Sequence, residues 1–258
     1  MKSINILLFS SIALFMSVAR FADAGEAGAA FSADMVRKGG DGQESTGKMY
    51  VSDGRVRTEM IQDGSQVVRI TDTTRRMEWI LFPEQHSYME RGGNAGPGGP
   101  PAASGTDISQ KDPCAGVPGL VCRKIGEETI AGRQAVGWEM TSTQQGQTLK
   151  GEQWVDQERG VPLRQMMPNG QKMELNLVGS ESLEGRMVEK WEMVVTAPNR
   201  EPVRSLQWYD PELELAIREE FPGGFVSELK SIRVGDQPDS FFTVPAGYQR
   251  ISMPGNGL

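Results

Sequence analysis

The sequence contains little of what most enzymes use for catalysis. It has one histidine, His86, and two cysteines, Cys114 and Cys122, in 258 residues. Catalysis by a Ser-His-Asp or Cys-His arrangement would have to use His86, which lies in a predicted turn. A Gly-x-Ser-x-Gly elbow, a His-Glu-x-x-His sequence and a phosphate-binding loop that opens a helix are all missing. We therefore expect no catalytic residue, no cofactor and no metal site.

Long apolar runs are also missing, except at the N-terminus. There Lys2 precedes a mostly apolar stretch over residues 4–18, and Ala22-Asp23-Ala24 offers a small-x-small cleavage site. The stretch is too short for a stable membrane span. Residues 1–24 are therefore predicted to be a signal peptide that sends the protein to the periplasm or out of the cell. A second possible cleavage site follows Ala30.

Basic runs are missing from the remaining 234 residues. Cleavage after Ala24 removes two of the 27 basic and one of the 34 acidic residues, which leaves a net charge of −8. An acidic chain of this kind is a poor partner for nucleic acid or for an anionic membrane surface. In an oxidising compartment the two cysteines, eight positions apart, predict one disulfide. A metal pair is the alternative, although His86 lies far away in sequence.

Alternation of apolar and polar residues is the main secondary-structure signal, and helical periodicity is rare. Residues 77–81, 136–140, 173–177 and 187–195 place apolar side chains at every second position or close to it. This pattern predicts half-buried strands. Asp-Gly, Asn-Gly and Gly-Gly turns separate them, so we predict an all-β fold with few short helices, in which one antiparallel sheet curves into an incomplete barrel.

A repeat of about 54 residues organises the second half of the chain. Gly132-Arg133 and Trp138-Glu-Met140 return 53 positions later, and Gln153-Trp154-x-Asp156 returns 54 positions later. A fixed period indicates a duplicated supersecondary unit. The predicted organisation of residues 25–258 is one domain with a first meander at 31–91, a Gly/Pro-rich linker at 92–112, repeat units at 124–181 and 182–235, and a closing segment at 236–258.

Several short segments of the chain form a set: Phe31-Ser-Ala-Asp-Met-Val36, Trp79-x-Leu81-x-Pro83, Pro162-Leu-Arg164 and Val244-Pro-Ala-Gly-Tyr248. Together they resemble a bacterial exported family of unknown function that is related to the LolA/LolB superfamily of periplasmic lipoprotein carriers. The resemblance spans most of residues 31–250. It implies a strongly curved antiparallel sheet whose concave face is apolar and holds acyl chains. The chain departs from the carriers in its repeat and in the scarcity of candidate helices.

The acidic residues that recur in both repeat units have two interpretations. A pair of carboxylates could serve glycoside hydrolysis. A structural role is favoured, because each Trp-x-Asp ends a strand and should bring Asp156 near Arg164, and Asp210 near Arg218, across a turn. The neighbouring Trp154 and Trp208 are expected at the rim of the barrel, with a sugar-stacking platform as the alternative.

Methionine is the composition signal that favours an apolar ligand. Twelve methionines follow the predicted cleavage site, and flexible thioethers suit a surface that repacks around varied apolar shapes. Ordinary core packing and a copper site are the alternatives. The predicted lining of the concave face is Met77, Trp79, Leu81, Val136, Trp138, Met140, Met187, Trp191, Met193 and Val195.

These observations predict a non-enzymatic periplasmic protein that binds a lipid or a lipoprotein acyl chain. The alternative is a protein-interaction or envelope-stress-sensing module that binds an envelope protein through its sheet edges or the 92–112 loop, without a lipid. The interior distinguishes them. A continuous apolar groove favours the lipid, whereas a packed interior favours the protein partner.

Overall fold

The structure is a computed structural model that describes residues 28–92, 113–114, 119–144 and 147–252. The predicted signal peptide and most of the predicted linker lie outside these residues. Gly92, the first residue of that linker, is the last residue of a strand. No helix long and apolar enough to cross a membrane occurs within the described ranges.

Sixteen strands form one sheet. In the first half of the chain these are β1 Phe31–Lys38, β2 Glu44–Ser52, β3 Arg55–Gln62, β4 Ser65–Asp72, β5 Met77–Phe82 and β6 Ser87–Gly92. In the second half they are β7 Leu120–Ile130, β8 Arg133–Gln144, β9 Gln147–Asp156, β10 Pro162–Met166, β11 Lys172–Leu183, β12 Arg186–Thr196, β13 Val203–Asp210, β14 Leu215–Phe221, β15 Phe225–Val234 and β16 Gln249–Arg250. Pro83–Gln85 and Asp239–Phe242 form 3₁₀ turns.

The order of strands across the sheet is β16-β6-β5-β4-β3-β2-β1-β15-β14-β13-β12-β11-β10-β9-β8-β7. Two antiparallel meanders therefore meet in the middle, where β1 pairs with β15. Among the strands that the structure describes, only the pairing of β16 with β6 is parallel. The predicted all-β class and open, curved antiparallel sheet are confirmed.

The repeat has a clear structural meaning. The hairpins β7–β8 and β11–β12 both turn through two residues, Ala131-Gly132 and Glu184-Gly185, and all four have positive φ angles between 50° and 81°. This is the turn that suits the twist of a tight hairpin, and glycine at its second position avoids a steric cost. The strand that follows each turn begins with arginine, which explains why Gly-Arg recurs in the sequence.

The core is divided into four clusters. The largest lies where the two meanders meet and includes Phe31, Met35, Trp208 and Ile217. A second gathers around Leu163 and Trp191, and a third lies beneath residues 241–248. The fourth consists of Val136, Trp138 and Val155. Burial in all four follows from alternation within the strands, together with bulges that shift the register, as at Leu163 in β10.

Candidate functional site

The structure distributes the ten predicted lining residues over several clusters and does not bring them to one surface. Trp79 and Leu81 pack in the third cluster, Val136 and Trp138 in the fourth, and Trp191 and Met193 in the second. The remaining four belong to none of these clusters: Met77, Met140 and Val195 are half-buried, and Met187 is 64% exposed. Leu81, Val136, Trp138 and Trp191 are buried core residues.

A small depression lies between β1, β2 and β3. Its volume is about 40 Å³, and its lining consists of Met35, Arg37, Ser45, Thr46, Gly47, Met60 and Ile61. Sites for drug-sized ligands usually enclose about 300–1,000 Å³. The depression therefore has room for about three water molecules and not for an acyl chain in this conformation.

Two methionines, Met35 and Met60, line this depression. Met35 is buried in the largest cluster, and Met49 and Met60 pack against the same cluster. None of the three is in the predicted lining. The signal that could have found Met35 is the alternation of β1, where Phe31, Ala33 and Met35 share one face.

The rim of the depression carries an arginine beside a carboxyl group. Arg37 of β1 and Glu219 of β14 both lie opposite Ser227 of β15, so the three side chains share one face of the sheet. Burial raises the pKa of Glu219, and the Arg37 charge partly opposes that shift. This pair adds charged groups beside the two methionines of the depression.

The recurring aspartates form one network in each repeat unit. Asp156 is 1% exposed, pairs with the Arg133 guanidinium, and accepts hydrogen bonds from the backbone amides of Glu158 and Arg159 at 2.8 and 3.2 Å. Arg133 also binds the Glu158 carboxylate at 2.6 Å. The carboxylate thus closes the turn after β9 and fixes the start of β8.

The second unit repeats every part of this network. Asp210, also 1% exposed, pairs with Arg186 and accepts the amides of Glu212 and Leu213 at 2.9 and 3.1 Å. Arg186 binds Glu212 at 2.7 Å. The recurring Gly-Arg and Trp-x-Asp segments of the sequence are therefore partners in space.

The predicted pairing of these aspartates with the later arginines is wrong. Arg164 pairs with Glu128 at 3.1 Å, and Arg218 pairs with Glu220 and Glu228 at 2.5 and 2.9 Å. The reason is that each arginine lies opposite the tryptophan two residues before the aspartate, where a glutamate is within reach. The hairpin arginine reaches the carboxylate instead. Both aspartates have a structural role.

The two tryptophans predicted at the rim differ. Trp208 is 5% exposed, its indole N–H donates to Glu181, and Lys190 and Arg218 lie over its ring at 4.7 and 5.3 Å. The half-buried Trp154 covers Gly137, where a Cβ would lie 2.8 Å from the indole ring. Neither ring presents an open platform for a sugar.

One charged cluster joins the two repeat units. Arg159, in the turn after β9, binds Glu189 of β12 through two hydrogen bonds of 2.6 and 2.9 Å and lies 4.4 Å from the centre of the Tyr209 ring. The Trp191 indole N–H donates to the same carboxylate at 3.0 Å. The Arg159 hydrogen bonds lower the pKa of Glu189.

The Glu189→Gln variant tests this junction. Because the folded-state pKa lies below the ordinary 4.5, the ionised carboxylate stabilises the fold above that value and loses its contribution as the pH falls through the folded-state pKa. We expect a loss of about 2 kcal/mol at pH 7 that shrinks below pH 4.5, measured by urea unfolding. Glu201→Gln, which changes an exposed residue, is the control. Its free energy of unfolding should match that of the unsubstituted protein both at pH 7 and below pH 4.5. A loss that is independent of pH would contradict the assignment.

The two cysteines form a disulfide, and the single histidine lies at a turn. Cys114 and Cys122 form the predicted disulfide, with Cα atoms 5.5 Å apart. His86 follows a 3₁₀ turn with φ of 46°. In the part of the chain that the structure describes, no three His, Cys, Asp or Glu side chains are grouped to hold a metal ion.

Solved structures with a similar fold include proteins of the superfamily that the sequence resembles. A LolA superfamily protein from Nitrosomonas europaea is 14% identical, with 83% of this chain and 90% of that chain covered and a TM-score of 0.35. A conserved protein from Thermus thermophilus is 10% identical, with 88% and 91% covered and a TM-score of 0.32. MucB of the MucA/MucB complex from Pseudomonas aeruginosa is 17% identical, with 81% and 94% covered and a TM-score of 0.23.

No family model matches the sequence, and no curated protein matches it. The likeness of this chain to these proteins concerns the fold alone.

Proposed function

We propose that this protein is a non-enzymatic binding protein of the periplasm that recognises an extended protein segment along the outer edge of its sheet. The observation that carries the proposal is that four of the ten predicted lining residues are buried in the core. Leu81 and Trp191 are 1% and 2% exposed, and the depression at β1–β3 holds about 40 Å³. A filled interior favours a partner that binds from outside.

The outer strand β7 has the properties of such an edge. It is 11 residues long, it pairs with β8, and no strand lies beyond it among the described residues. Val121 is 67% exposed, and Ile125 is 36% exposed at a bulge that interrupts the pairing with β8. An unpaired strand edge offers backbone donors and acceptors to an added strand, and neighbouring side chains provide specificity.

The charges on β7 restrict what can be added. Arg123 pairs with Glu139, and Lys124 with Glu127, so both signs are present along the strand and already have partners. Such charges oppose indiscriminate edge-to-edge association. We therefore expect one specific partner and no self-polymerisation.

The periplasmic location rests on the predicted signal peptide. The intact mass of the exported protein should correspond to a chain that begins at Gly25.

Ile125→Pro is the variant that tests the edge. A proline at a bulge removes a backbone donor at small cost to the adjacent ladder, whereas Ile125→Ala keeps the donor and is the matched control. A photo-crosslinking residue at Val121 should capture an envelope protein in the Ile125→Ala background. We expect at least a tenfold lower yield in the Ile125→Pro background, at equal thermal stability. Equal yields in both backgrounds would contradict edge binding.

A lipid ligand is a second candidate because two methionines line the depression and a third packs against the same cluster. Met35, Met49 and Met60 have flexible side chains, and their movement could extend the depression toward the largest cluster. Arg37 at the rim would then face the anionic end of an acyl lipid. Under this candidate, organic extraction of protein purified from the periplasm would release an acyl lipid in stoichiometric amount.

A further inference from the structure

The C-terminal strap, residues 239–251, lies on an apolar face that the sheet itself leaves uncovered. The strap follows β15, which ends at Val234, and reaches the edge of β6. In the order of strands, β15 and β6 lie on opposite sides of β1. Phe242 is 4% exposed and packs with Val68, Ile70 and Leu81, while Phe241 and Tyr248 pack at the margin of the same cluster. Two of the predicted lining residues, Trp79 and Leu81, thus lie in a cluster that the strap covers.

Two arginines of β3 hold the start of the strap. Arg55 binds the Asp239 carboxylate at 2.8 Å and lies 4.7 Å from the centre of the Phe242 ring. Arg57 donates to the Phe241 carbonyl at 3.0 Å and lies 5.9 Å from the centre of the Phe241 ring. The face therefore recognises an acidic residue followed by two adjacent aromatic residues.

The end of the strap adds a short strand to the sheet. The amides of Gln249 and Ile251 donate to the carbonyls of His86 and Tyr88, both at 2.8 Å, and β16 contains only two residues. This is the geometry by which an extended peptide binds a sheet edge. Here the peptide belongs to the same chain.

The attachment of the strap is limited. Phe242 is its only buried residue, and the residues between Val244 and Tyr248 are exposed. Ser87, opposite Gln249 in the pairing, has a buried hydroxyl that meets no hydrogen-bond partner within the described ranges. Segments with few buried contacts open more readily than strands paired on both sides.

We propose that this face and the β6 edge are a docking site for an extended segment with acidic and paired aromatic residues, and that the strap occupies the site as an intramolecular competitor. A partner segment of this chemistry binds after the strap opens. The inference deepens the proposed protein-binding function by naming a second edge and the chemistry of its occupant. Its tests concern only the strap and β6, so they can fail while binding at β7 stands.

Native-state hydrogen exchange of the full chain measures the opening. The amides of Gln249 and Ile251 should exchange at least about 100-fold faster than those of Val68 and Ile70, because β4 is paired on both sides and the strap is not. Similar exchange rates for the two groups would show that the strap opens only with the sheet and would overturn the proposal.

Binding in trans tests the docking site directly. The probe is a labelled synthetic peptide of residues 236–252, added to the full chain carrying Phe242→Ala, which vacates the aromatic position. We expect the peptide to bind this variant about tenfold more tightly than the unsubstituted protein. In the unsubstituted protein the strap occupies the site, so the apparent affinity for the peptide is reduced to the fraction of molecules in which the site is open. A peptide with both phenylalanines replaced by alanine should not bind.

Two further variants keep the result interpretable. Asp239→Asn loosens the strap but leaves Arg55 and the aromatic pocket intact for the peptide, so it also should bind more tightly than the unsubstituted chain. Phe225→Ala removes an aromatic residue that is 55% exposed on β15, and it should bind as the unsubstituted chain does. If neither strap variant gains affinity, the strap is a fixed part of the core and the proposal is wrong.

Discussion

Trp191→Ala is expected to lower the free energy of unfolding by about 3–5 kcal/mol. Trp191 is 2% exposed, packs with Leu163 and Leu175, and donates its indole N–H to Glu189. Its removal leaves a cavity and a carboxylate with one donor fewer. Urea unfolding followed by circular dichroism measures the loss.

This result tests whether the interior around Trp191 is packed or open. Truncation of a side chain that lines an open ligand cavity lowers the free energy of unfolding only slightly, because the apolar surface of that side chain is already in contact with solvent or ligand. Met187→Ala, on the same strand but 64% exposed, is the matched control and should cost less than about 0.5 kcal/mol. If Trp191→Ala costs no more than Met187→Ala, the interior is not the packed core that the structure describes.

Asp156→Ala and Asp210→Ala are each expected to lower the free energy of unfolding by about 3 kcal/mol. Each variant leaves an arginine that is about one-sixth exposed without its buried partner, and it removes the acceptor for two turn amides. Because the two networks are copies, the two losses should agree within about 0.5 kcal/mol.

The exposed glutamates of the same networks provide the control. Glu158 and Glu212 bind the same two arginines, but their side chains are 81% and 61% exposed. Glu158→Ala and Glu212→Ala should each cost less than about 1 kcal/mol. Glutamate variants that cost as much as the aspartate variants would show that exposed charge, and not the buried turn carboxylate, stabilises the repeat.

Local patterns in the sequence predict most of the fold. Alternation in residues 77–81 and 187–195 indicates strands, and the Gly-Arg and Trp-x-Asp repeats mark the hairpins and turns of two equivalent units. These signals work because a strand has a period of two and because a tight hairpin needs particular residues at its turn. They depend only on neighbours in the chain.

The candidate site depends on contacts between distant residues, which local patterns do not reveal. Trp79 and Trp138 alternate in the same way, yet one is covered by residues 241–248 and the other packs with Val155. Bulges at Leu163 and Ile217 shift which residues are opposite one another, and the partners of Arg164 and Arg218 are glutamates of other strands or of the same strand. A period-two pattern places residues on one face of a strand without showing which face is covered.

Native mass spectrometry of the protein purified from the periplasm without detergent tests the central claim most directly. A packed interior with binding at the sheet edges predicts the mass of the mature chain with its disulfide and no bound acyl lipid. A one-to-one complex with an acyl lipid, retained through purification, would contradict the account.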